Sequence, residues 1–135
     1  MNFTAGNAHD AQTQGTGWFI GFSDWTLTGP PDLLHVPREQ ALSGLCVKWL
    51  DHPPGDESGD SKPLSEGRTV SILVSDDSAF RIEFSEKPGF PAGTVESVLL
   101  QRHGDFVAWG AGLHHRWRAL SRSTVLTLRW QSCQA

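Results

Sequence analysis

Apolar and polar side chains alternate with a period of two along much of this chain, in short segments separated by Gly, Pro, Ser and Asp. The clearest pair is Thr69 to Val74 and Phe80 to Phe84, joined by Ser75-Asp76-Asp77-Ser78. Successive strand side chains point to opposite faces, so this spacing predicts a β-hairpin. Val70, Ile72, Val74, Phe80, Ile82 and Phe84 would face a core, with Arg81 and Glu83 toward solvent. His115 to Leu120 and Thr124 to Trp130, around Ser121-Arg122-Ser123, predict a second hairpin. Further strands are predicted over Trp18 to Phe22, Leu45 to Leu50, Val95 to Gln101 and Phe106 to Trp109, and only Arg38 to Leu42 carries a weak helical spacing. At least seven short strands with regular turns describe an all-β chain, either a sandwich or a closed barrel.

Residues 1–14 are polar and read as a flexible head ahead of one β-domain over 15–135, with neither an internal repeat nor a linker. Asp51 to Gly67 contains Pro53, Pro54, Gly55, Gly59 and Pro63 and predicts a long loop, a length that invites a functional role. The chain has 135 residues, enough for a core of its own, and six Trp and seven Phe to fill it. Eleven basic against fifteen acidic residues give a net charge of -4, which argues against nucleic acid or an anionic membrane as partner. A small neutral or anionic ligand in a locally basic pocket remains compatible with that charge. Cys46 and Cys133 have neither zinc-knuckle nor redox-pair spacing and read as reduced thiols. The head lacks the basic and apolar regions of a signal peptide, and no run is long enough to span a bilayer, so a cytoplasmic location is expected.

Candidate chemistry gathers around histidines. Alternation puts His115, Trp117 and Ala119 on one strand face and His114, Arg116 and Arg118 on the other. His115 is thus either a pocket ligand or acid/base group, or a core histidine bonded to backbone. His52 opens the long loop and Glu66 closes it, so both are candidates for the mouth of a pocket. Arg129 shares a face with Val125 and Thr127, opposite Leu126, Leu128 and Trp130. If the Leu face fills the interior, Arg129 lies outside; if not, it offers a bidentate partner for a carboxylate ligand. Trp18, Trp49, Trp109 and Trp117 are core residues or ligand platforms. G-x-S-x-G, P-loop and H-E-x-x-H patterns are all missing, so hydrolase, phosphoryl-transfer and zinc-peptidase readings have no support.

Gly104 to His115, GDFVAWGAGLHH, resembles the second motif of the cupin superfamily, G-x5-P-x-G-x2-H-x3-N. Gly104, Gly112 and His115 fall in register, whereas Gly110 stands at the proline position and Ala119 at the asparagine position. The first cupin motif, G-x5-H-x-H-x3-4-E-x6-G, would end in the Asp76-Asp77 turn. Its glutamate position is then Thr69 or Val70, and its histidine positions fall within Lys62 to Glu66, where no histidine stands. The resemblance covers Thr69 to Trp130 and implies a cupin-like jelly-roll barrel with a degenerate metal site. With that degenerate site the expected function is small-molecule binding, in a pocket that the residues themselves draw from His115, Trp117, His52, Glu66, Arg129 and Trp49. Alternatives are a metal-dependent dioxygenase or isomerase and a structural barrel acting as a homodimer, paired through the run from Trp18 to Phe22. A divalent ion (Fe, Mn, Ni or Zn) would need His115, His52 and Glu66 to converge, as two imidazoles and one carboxylate.

Overall fold

In the last strand Leu126, Leu128 and Trp130 turn to one side and Val125, Thr127 and Arg129 to the other, and both sides are covered. The computed structural model describes residues 1–22, 34–36, 41–60 and 62–133. Eight strands follow one another: β1 (Phe3–Asn7), β2 (Ala41–His52), β3 (Arg68–Leu73), β4 (Phe80–Ser85), β5 (Glu96–Leu100), β6 (Asp105–Trp109), β7 (His114–Ala119) and β8 (Ser123–Cys133). Five form one sheet in the order β1-β6-β3-β8-β2, and three form a second in the order β5-β4-β7. All of these pairings are antiparallel. The described residues contain no α-helix, and the sheets do not close into a barrel.

Two apolar layers result. Between the sheets, Leu73, Val107, Trp109 and Val125 of the larger sheet meet Phe80, Ile82, Phe84 and Leu100 of the smaller. On the outer face of the larger sheet, Val70, Ile72, Phe106 and Trp130 pack under Phe19, Ile20, Phe22, Leu34 and Val36. Each large aromatic in these layers buries about 150–250 Å², worth on the order of 5 kcal/mol of transfer free energy. Val70 and Ile72 are therefore buried as the alternation requires, but away from the second sheet.

Both predicted hairpins are instead crossovers. β3 and β4 belong to different sheets, and so do β7 and β8. Their connections brace each other: Leu120 N donates to Ala79 O (2.8 Å), Val74 N to Thr124 O (2.9 Å) and Thr124 N to Ser75 Oγ (3.0 Å). Alternation on two neighbouring segments shows that each buries one face. It does not show that they bury it in the same sheet.

The run from Trp18 to Phe22 is not a strand. Among the described residues its regular pairing is a single bridge from Gly21 to His35, and its aromatics lie on the larger sheet, Phe19 against Phe106 (5.6 Å between centroids) and Phe22 against Trp130 (5.0 Å). Packed this way, the run is a cover for that sheet. The head is also different from expectation, since residues 3–7 pair with β6 and Phe3 stacks on Phe84 at 5.0 Å. Of the weak helical stretch, residues 38–40 lie outside the described residues, while Ala41 and Leu42 open β2. Gly67, at φ +69°, brings the long loop onto β8 so closely that a Cβ there would collide with the Trp130 carbonyl.

Candidate functional site

The face of the larger sheet that looks toward the smaller is apolar at one end and polar at the other. Lys48, Leu50 and His52 on β2, Thr69 and Ser71 on β3, and Thr127 and Arg129 on β8 line a pocket of about 60 Å³ between the sheets. β4 and β7 close it with Phe80, Ile82, His115 and Trp117. A wider chamber of about 430 Å³ lies beyond, walled by Lys62 to Glu66, Trp130 and Gln131. Lys62, His115 and Arg129 line both, so they form the neck between the two spaces.

The long loop shapes this neck through backbone bonds to β7. Gly55 N donates to Ala119 O (2.7 Å), Ala119 N to Asp56 O (2.8 Å) and Ser58 N to Trp117 O (3.1 Å). A bridge between Glu57 and Arg118 adds a rung outside β7. At the far end Ser65 N donates to Leu113 O (2.9 Å), fixing the segment that carries Lys62 and Glu66.

His115 is 8% exposed, and its Nδ1 is buried without a hydrogen-bond partner. Its ring lies 5.1 Å from that of Trp109. Burial, and then the positive charges of Lys62, Arg129 and Lys48, push its pKa down to about 4, so the imidazole is neutral at pH 7. His52 is 4% exposed and lies 4.3 Å from the Trp117 ring and 5.0 Å from that of Phe80. Its Nδ1 donates to Asp56 Oδ2 at 2.8 Å, which fixes the ring against the aromatic wall. Arg129 lies on the cleft side of β8, the second of the two placements its alternation allows, but it is solvent-exposed there. Its Nε donates to Thr69 Oγ1 at 3.0 Å, which orients the guanidinium.

Of the six pocket residues expected, His115, Trp117, His52 and Arg129 line the inner pocket and Glu66 the outer chamber. Trp49 does not belong with them. It is 62% exposed on the opposite face of β2 from Lys48, Leu50 and His52. Among the described residues no three or more His, Cys, Asp or Glu side chains are placed to hold a metal ion, so His52, Glu66 and His115 do not converge as a ligand set. The formal charges that act on His115, those of Lys62, Arg129 and Lys48, are positive.

Lys48 and Lys62 were not among the expected site residues. Lys48 was legible in principle, since it precedes His52 by four positions on one strand and so shares its face. Lys62 has no such signal, because loop backbone places it. No protein-family model matches this chain, and no curated protein matches it.

Proposed function

We propose that this chain is a small-molecule-binding protein whose site is the two-chambered cleft between the sheets. The observation that carries this reading is the buried, unpartnered Nδ1 of His115 at the neck, where a polar group from a ligand would satisfy it. The strand order supports a jelly-roll reading as well. With the Glu57–Arg118 rung counted as a short outer strand, the smaller sheet has four members, as in a two-sheet jelly roll. The test is a fragment screen read by the indole N–H resonances, assigned by single Trp→Phe variants. A ligand of the cleft shifts Trp109 and Trp117 and leaves Trp49 unmoved. Fragments that shift only Trp49, or none, would refute the site.

A second reading, a self-associating structural protein, is favoured by β2. Among the described residues this strand pairs only with β8. Its outward face shows Leu45, Val47 and Trp49 at 52%, 58% and 62% exposure. A long, apolar edge is a template for another strand, and antiparallel pairing of two copies is self-complementary. The surface is separate from the cleft, so the two readings are compatible.

A further inference from the structure

We propose that the ligand of the cleft is a small organic oxyanion, its carboxylate or phosphate held at the neck by Lys62 and Arg129 with Lys48 behind. This rests on the reading of the cleft as a binding site and adds the chemistry of what it takes.

Three cations reach one small space from three separate elements, β2, the long loop and β8. No acidic side chain lines the inner pocket among the described residues, and the only one on the outer chamber is Glu66. Elsewhere three arginines of the chain are balanced by acids. Arg116 pairs with Glu83 and Asp60, Arg118 with Glu57, and Arg102 with Asp10. Lys62 is half-buried while Lys48 and Arg129 are exposed beside it, and burial together with these two charges lowers the Lys62 pKa. An anion from solution would offset the repulsion among these charges.

The geometry also suits a planar or tetrahedral oxyanion more than a halide. The Arg129 guanidinium is oriented by Thr69 through Nε, leaving its terminal nitrogens for a forked partner. The buried His115 nitrogen supplies one more directional contact. Lys62 Nζ lies 6.0 Å from the centroid of the Trp117 ring, which keeps the ammonium over the inner pocket. The organic body then extends into the outer chamber, along Pro63, Leu64 and Trp130.

Titration with benzoate, phenyl phosphate and the neutral isostere benzamide tests this, with the Trp109 and Trp117 indole signals locating each probe. One of the two anions is expected to bind at least about tenfold more tightly than benzamide. The tighter of the two names the acid. Lys62→Gln and Arg129→Gln should each remove most of that advantage over benzamide, and Arg129→Lys should restore part of it. Equal binding of benzamide and the anions, insensitive to these variants, overturns the oxyanion proposal and leaves the cleft as a site for neutral ligands. Failure of all three probes to shift Trp109 or Trp117 overturns the binding reading and this proposal together.

Discussion

Ser65 and Leu113 are tied to each other three times: Ser65 N to Leu113 O (2.9 Å), Leu113 N to Ser65 Oγ (3.1 Å) and Ser65 Oγ to Leu113 O (2.8 Å). The serine is buried, and among the described residues its hydroxyl is the partner that replaces water for that backbone N–H. Ser65→Ala should therefore cost about 1–2 kcal/mol, measured by urea unfolding. It should also broaden or shift the resonances of Lys62, which the same segment positions. A variant as stable as the parent would show that the latch contributes nothing.

The neutral, buried His115 sets a pH dependence of stability. Its folded pKa of about 4 lies below the ordinary histidine value of 6.5, so between those values the unfolded chain binds the extra proton. Stability attributable to His115 is complete above pH 6.5 and is lost as pH falls toward 4. Between pH 7.5 and pH 5 the parent should lose about 2 kcal/mol more than His115→Asn. Parallel denaturation curves for the two proteins across that interval would contradict the assignment.

Two glycines in the left-handed region should respond differently to alanine. At Gly112, φ +87°, nothing lies within reach of a Cβ, and only the backbone preference of about 1–2 kcal/mol is lost. At Gly67 the added carbon also meets the Trp130 carbonyl, so the loop must lift from β8. Gly67→Ala should cost on the order of 3 kcal/mol or more and open the outer chamber. Similar thermal shifts for the two variants would argue against this close contact.

For β2, sedimentation at micromolar concentration should show a dimer. Val47→Lys should give a monomer of nearly unchanged stability, because the side chain is exposed on the free protein. A parent that sediments as a monomer would remove the second reading.

Much of the strand inventory was legible because alternation is local. Thr69 to Val74, Phe80 to Phe84, Val95 to Gln101, Phe106 to Trp109 and the last two strands all fall on observed strands within a residue or two. Sheet membership was not legible, because it depends on partners distant in sequence. Val70 and Phe80 both look like core residues, yet they face different layers. The same ambiguity governed Arg129, whose apolar neighbours Leu126 and Leu128 are partly buried on the outer layer and not between the sheets. For the site, His115 and Trp117 followed from one strand's alternation. Trp49 was misplaced because an aromatic gives no sign of which face it takes, and the neighbouring Lys48 holds the inward position.

Within the larger sheet β8 has neighbours on both faces, and this makes it two interleaved texts. Leu126, Leu128 and Trp130 hold the outer cover in place, while Thr127 and Arg129 furnish the cleft. Substitution at one set leaves the other set's neighbours untouched, so selectivity can be rewritten at alternate positions without rebuilding the scaffold. A library confined to Lys48, Thr69, Ser71, Thr127 and Arg129 would thus vary recognition while the outer layer carries the stability.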